Sequence, residues 1–210
     1  FAHQFWGDYL EPHYIAGAPM VTETLAKYTE LVMLNHIYGE TAAFDLVNQS
    51  LDFYLKVRPY MSDIEQPLYS MGHDAHLFYG KGQHSMYALL DILGEDKINQ
   101  ALKQLLTEKG YPYKATTLDV LAAFSQQATH EQVEQIDDLF KRVIFHSFEI
   151  HGAKSQRVSN EANSVFMTTI DVSILKFELD LQTNEEQAAP INEYIDVALY
   201  DGYPMYDDSN

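Results

Sequence analysis

Apolar residues recur every three or four positions through the first two-thirds of the chain, and this spacing predicts helices. Leu25, Tyr28, Val32 and Ile37 mark one such stripe, ending near Tyr38 and Gly39, where glycine suits a C-terminal cap. A second helix is predicted over 41–57, stopping before Pro59, since a proline disfavours helix at the residue ahead of it. Residues 60–72, with Pro67 and Gly72, read as a connection. Helix resumes around Tyr79 and continues through Met86, Leu89 and Leu90 to Gly94. Another covers 95–109, with Ile98, Leu102, Leu105 and Leu106 on one side and Gly110 as its stop. Thr117, with Asp119 and Val120 behind it, starts a short helix to about residue 127, and Val133, Ile136, Leu139 and Phe140 share a face of the last, 130–142.

Past Arg142 the period falls to two, the signature of strands. Residues 143–150 and 165–181 read as strands, and Ile195, Val197 and Leu199 as a further one closing at Asp201 and Gly202. In the long middle strand Phe166, Ile170, Val172 and Ile174 share one parity, whereas Phe177, Leu179 and Leu181 share the other. That switch predicts a bulge near Ile174 and Leu175. Residues 183–186 read as an acidic turn and the polar tail 204–210 as frayed. The expectation is an α+β protein: a helical part, 1–142, followed by a small antiparallel β domain, 143–210.

Composition narrows the function classes. A hydrophobic fraction of 46% over 210 residues supplies a core for one large domain or two small ones. The formal charge of −18 argues against nucleic acid, whose phosphates need a basic surface. No cysteine is present, which excludes disulfides and thiolate metal sites. No apolar run approaches the roughly 18 residues of a membrane-spanning helix, and the piece reads as soluble.

The candidate chemistry begins at the first residues. Phe1-Ala2-His3 reads as the end of a His-Glu-x-x-His helix in which His3 is the second ligand, so the first His and the catalytic Glu are expected immediately upstream. Hydrolytic zinc takes three protein ligands and leaves a fourth position for water. The remaining ligand should be a carboxylate on a following helix, and Glu23, in that helix's first turn, is the candidate. His73-Asp74-Ala75-His76 has metal-like spacing but reads better as capping or solvated groups, with His76 alternatively lining a substrate cleft. His13, His36, His84, His130, His146 and His151 show no partner pattern.

His3-Gln4-Phe5-Trp6-Gly7 and Thr22-Glu23-Thr24-Leu25-Ala26-Lys27-Tyr28 resemble the two zinc-ligand segments of the aminopeptidase N family, the gluzincin aminopeptidases, whose second segment runs Asn-Glu-Gly-Phe-Ala-x-Tyr. Tyr79-Gly80-Lys81-Gly82 matches a third family landmark, Tyr-x-Lys-Gly. The branch fused to or encoded with ABC-type permeases is the most similar: it carries Thr-Glu-Ser-Leu-Ala-x-Tyr and a stretch like Glu65-Gln66-Pro67-Leu68-Tyr69. Nineteen residues separate His3 from Glu23, one more than in most of the family, a spacing this branch shares.

The resemblance implies a mainly helical second half of a gluzincin catalytic domain followed by a sandwich-like β domain. It implies one zinc ion in the parent held in part by His3 and Glu23, with Tyr79 as oxyanion donor and an upstream Glu as general base. It also places upstream a Gly-x-Met-x-Asn segment that grips the substrate's free amine. The implied partners are peptide substrates, the upstream part of the same protein and ABC-type permease segments, which would associate the parent with a membrane. With two of three ligands the chain alone is expected to hold zinc weakly or not at all, and to be inactive. The alternative is a non-catalytic peptide-binding or regulatory domain of a transporter-associated protein.

Overall fold

The computed structural model describes residues 1–158 and 166–191 together with residues 193 and 195. Among these residues the chain is an α+β protein, with six α-helices followed by a three-stranded antiparallel sheet. The helices are α1 (Leu25–Tyr38), α2 (Glu40–Val57), α3 (Gly82–Leu93), α4 (Glu95–Lys109), α5 (Thr117–Ser125) and α6 (His130–Phe140). Two glycines make the sharpest corners. Gly39 (φ +88°) ends α1 and opens α2, and Gly94 (φ +80°) does the same for α3 and α4. Backbone of that sign is cheap only for glycine. Helix α5 starts from a capping box in which Thr116 Oγ1 accepts from Asp119 N and Asp119 accepts from Thr116 N, so the cap is one residue ahead of Thr117. Thr129 and Gln132 form the same reciprocal pair at the start of α6.

The core gathers Leu25, Tyr28, Met86, Leu89, Ile98, Leu102, Phe124 and Phe140 from α1, α3, α4, α5 and α6. On α1 the buried stripe is Leu25, Tyr28 and Leu31, while Ile37 is exposed along with the whole last turn. A two-stranded parallel pair, β1 (Glu11–Pro12) with β2 (Lys114–Ala115), clips the first loop to the region ahead of α5. Its two residues per strand are too short to leave a period in the sequence.

Two helices do not begin as α-helix. Met20–Thr24 and His76–Lys81 are π-helical and run directly into α1 and α3. These wide turns cross at very short range. A Cβ built on Gly82 would lie 2.6 Å from Thr24 Oγ1, and one on Gly80 would lie 2.8 Å from Tyr54 Cβ of α2. Thr24, fully buried, donates its hydroxyl to the Phe78 carbonyl at 3.0 Å, satisfying a backbone acceptor that the crossing hides from water. Buried Gln83 completes the junction: Ser50 of α2 bonds its side-chain oxygen, and its amide reaches the Lys27 carbonyl of α1 at 3.4 Å.

Strand follows helix directly: β3 (Ile144–Arg157) and β4 (Phe166–Leu179) form a long antiparallel pair, and β5 (Glu186–Ala189) adds to the β4 end nearest the helices. The expected bulge at Ile174 and Leu175 is not there. β4 keeps continuous register and the extra residue sits in β3 at His151, between Ile150 and Gly152. The apolar parity changes because the sheet's two ends have different surroundings. At the base Leu179 is buried and Phe145, paired with Phe177, packs under the Arg58 guanidinium at 4.1 Å, whereas Lys176 on the other face pairs with Asp138 and Glu193. Farther out Phe148, Ile150, Val172 and Phe166 are exposed. The turn expected over 183–186 yields to strand at Glu186, and the expected strand past residue 195 and the tail 204–210 lie outside the described residues.

Because the crossing leaves no room for a Cβ, Gly82→Ala and Gly80→Ala each destabilise the fold by about 1–3 kcal/mol through overpacking. Gly152→Ala, whose Cβ would meet nothing within 4 Å, changes stability by less than about 0.5 kcal/mol. Urea unfolding of the three variants checks the contrast.

Candidate active site

The first turn of the chain is held in place by its tryptophan. His3 lies on a single 3₁₀ turn, Ala2–Gln4, where an α-helical end was expected; the carbonyls of His3, Gln4 and Phe5 then accept from residues five positions later. Trp6 is buried, and its indole N–H donates to Thr29 Oγ1 of α1 at 2.7 Å. Gly7 (φ +120°) then turns the chain past Thr22, whose methyl would sit 3.7 Å from a Cβ there. The Trp6 carbonyl accepts from His3 Nδ1 at 3.1 Å. A carbonyl can only accept, so Nδ1 carries a proton, and in the neutral ring Nε2 is the nitrogen with the free lone pair.

Nε2 faces Glu23. His3 Nε2 stands 3.7 Å from Glu23 Oε2, and the Tyr79 hydroxyl donates to the same oxygen at 2.6 Å. Three side chains spread over 77 residues of sequence thus meet at one carboxylate oxygen. Both Glu23 and Tyr79 belong to the crossing π-helical turns, so the Thr24–Phe78 bond one residue away on each strand of the crossing sets their separation. The bond to Glu23, with some burial and the carboxylate's charge, pushes the Tyr79 phenol above its ordinary pKa of 10. At neutral pH it therefore remains a protonated donor.

Beneath Tyr79 lies a buried ionic cluster that the sequence did not announce. Lys81 Nζ meets Glu65 Oε1 at 2.6 Å, Arg58 Nε meets Oε2 at 2.8 Å, and the Tyr54 hydroxyl bonds both carboxylate oxygens. Burial opposes the charge on Glu65, yet Lys81, Tyr54 and Arg58 outweigh it and hold the carboxyl below its ordinary value. Burial, aided by the Arg58 charge, pulls the Lys81 ammonium below its ordinary value, and the ion pair with Glu65 offsets only part of that. The Tyr54 phenol is driven up, chiefly by burial and then by Glu65. Lys81 is two residues beyond Tyr79, so this cluster anchors the turn that carries the phenol.

His76 is buried and its ring stacks on Tyr54, 6.2 Å between centroids; it lines neither groove described below. His73 is exposed, and no side chain of Asp74 caps the following turn. Among the described residues no group of three His, Cys, Asp or Glu side chains is arranged to hold a metal, neither at 73–76 nor around Glu23. His36 pairs with Glu95, His146 with Glu193, and His151 with Ser173.

The His3–Glu23 pair nevertheless fits part of a zinc site. One imidazole nitrogen and one carboxylate oxygen 3.7 Å apart are close to the edge of about 3.4 Å that separates two ligands of a tetrahedral zinc with bonds near 2.1 Å. The Nδ1–H bond to a backbone carbonyl is the outer support that ligating histidines characteristically have. No family model, characterised protein or solved structure matches the chain. The functional reading therefore rests on the residues and their geometry.

Two grooves flank α1. The larger, about 560 Å³, is lined by Trp6, Tyr9, Tyr28, Met33, Leu102 and Leu106 among others, and holds none of His3, Glu23 and Tyr79. The smaller, about 330 Å³, has Tyr79 in its wall.

Three outcomes follow. Glu23→Gln weakens the hydrogen bond that raises the Tyr79 phenol and removes the carboxylate's charge, so the phenol's pKa moves down toward 10 in NMR titration of ring-labelled tyrosine. For Glu65, a folded pKa below the unfolded value contributes stability that is full above about pH 4.5 and declines as pH falls below it. Glu65→Gln therefore flattens that acid limb of unfolding free energy, while Lys81→Met, which leaves the carboxylate short of a partner, costs roughly 3 kcal/mol at pH 7.

Proposed function

We propose that this chain is the second half of a gluzincin-type catalytic domain, and that its parent is a zinc aminopeptidase-like enzyme hydrolysing N-terminal peptide bonds. The observation supporting it is the meeting of His3 Nε2 and the Tyr79 hydroxyl on one Glu23 oxygen, 3.7 and 2.6 Å away. In this reading an upstream His and Glu complete the ligand set and supply the base. Zinc, when bound, supplies Lewis acidity toward a carbonyl and activates water.

The chain's own residues then have separable tasks. His3, locked as the Nδ1–H tautomer by the Trp6 carbonyl, presents Nε2 as a neutral ligand. Glu23 brings negative charge and, being in the first turn of its helix, is favoured there by the helix dipole. Tyr79, kept protonated by Glu23, donates to the oxygen on which charge develops as the peptide carbonyl is attacked. Lys81 and Glu65 fix the turn from which that phenol projects. Attachment to a membrane through ABC-type permease segments belongs to the same proposal; among the described residues no helix is long and apolar enough to cross a bilayer.

The test is kinetic. The chain extended upstream through the missing ligands hydrolyses aminoacyl reporter peptides, and Tyr79→Phe lowers kcat by about 10²–10³ with little change in KM, the cost of one oxyanion donor. Equal turnover in Tyr79→Phe removes the phenol from the chemistry. Peptide binding without turnover in the wild type favours the non-catalytic reading. The present chain by itself shows no hydrolysis.

A further inference from the structure

The larger groove lies between α1, α4 and the turn that carries Trp6, and none of His3, Glu23 and Tyr79 lines it. Its volume of about 560 Å³ is within the roughly 300–1,000 Å³ of ligand pockets. Buried Trp6, Tyr28 and Leu102 line it together with half-buried Leu106 and exposed Tyr9 and Met33. Most of its polar lining is already engaged. The Trp6 indole N–H donates to Thr29 Oγ1 at 2.7 Å, and that hydroxyl donates to the Leu25 carbonyl. The Tyr28 hydroxyl donates to Asn99 Oδ1, the Asn99 amide to Glu95, and the Thr107 hydroxyl to the Lys103 carbonyl. Left over among the described residues are the Tyr9 hydroxyl and the Lys103 ammonium, which makes no ion pair. Lys27, Lys109 and Lys114 pair with Glu30, Asp119 and Glu11, and the unpaired Lys97 and Lys154 line neither groove.

Independently of the peptidase reading, we propose that this groove binds a small aromatic carboxylate, with its rings against the apolar lining and its carboxylate on Lys103. The sign of the charge comes from Lys103, a lining cation without a carboxylate of its own. The apolar body follows from the engaged donors and acceptors: a further polar group on the ligand would lose water and find few partners. Its aromatic character comes from Trp6, Tyr9 and Tyr28 and from the Met33 thioether, since ring–ring and sulfur–ring contacts add to area burial. A cationic ligand is disfavoured twice. Trp6 and Tyr28 are only 5% and 3% exposed, so neither offers the open ring face that holds a cation, and the Lys103 ammonium repels one. The chain's net charge of −18 is screened beyond about 8 Å at physiological salt, so the nearby ammonium governs the carboxylate's position.

Trp6 is the only tryptophan in the chain, so its single indole N–H resonance in ¹⁵N-labelled protein reads occupancy of the groove directly. On titration 2-naphthoate shifts that resonance to saturation, and the neutral isostere 2-naphthylmethanol binds about tenfold more weakly. The cationic isostere 2-naphthylmethylamine leaves the resonance in place. Lys103→Met, a change at an exposed position, brings 2-naphthoate down to the affinity of the alcohol and leaves the alcohol unaltered. Lys103→Arg keeps the preference for the carboxylate. No shift of the Trp6 resonance with 2-naphthoate, or equal affinity of wild type and Lys103→Met for it, overturns the site. Decanoate binding as tightly as 2-naphthoate overturns the aromatic class. None of these readouts involves zinc or peptide hydrolysis, so the proposed function stands or falls separately.

Discussion

The hydrogen bond from the buried Thr24 hydroxyl to the Phe78 carbonyl is the contact on which the candidate site depends. It joins two π-helical turns at a separation that only glycine at position 82 permits. Each turn delivers one functional side chain from the residue next to the contact: Glu23 precedes Thr24, and Tyr79 follows Phe78. A π-helical turn rotates its side chains relative to the α-helix it feeds, so the carboxylate and phenol face each other instead of following their helices' core stripes. Side-chain geometry at the site is thus inherited from backbone packing.

The supporting layers act from two directions. From below, Glu65 gathers Lys81, Arg58 and Tyr54 and ties the Tyr79 turn to α2 and to the loop ahead of it. From the chain start, Trp6 binds Thr29 and so places the His3 turn on the helix that carries Glu23. The cluster is not a general source of stability, since burying the Lys81 and Glu65 charges has a cost that pairing only offsets. Its value is in orientation. The same logic accounts for Gly80, which lets the turn sit against the α2 backbone at Tyr54.

The sequence spelled out part of this. Periodicity located α1 through α6 to within a few residues, because each buries one apolar face and several begin or end at Gly39, Gly94 or a capping threonine. His3, Glu23 and Tyr79 stood out by residue type and neighbours, and the structure brings the three together. The resemblance to a peptidase family singled out Lys81, Gly82 and Glu65 as markers without giving them a task; their tasks are an ion pair and a close crossing, and both depend on partners 16 to 58 positions away. No local pattern encodes such a pairing. The bulge went to β3 for a related reason: the parity of β4 reflects what covers each end of the sheet, and only the helices decide that. Lys27 and Phe53, which wall the groove beside Tyr79, looked like ordinary surface and stripe positions until α1 and α2 were side by side.

Zinc stoichiometry in the chain extended upstream puts the central claim at most direct risk. If His3 and Glu23 serve one ion, the extended chain carries one zinc per molecule; His3→Ala and Glu23→Ala each lose it, and Tyr79→Phe keeps it. Full zinc retention in both ligand variants, with the fold intact by circular dichroism, would contradict the account.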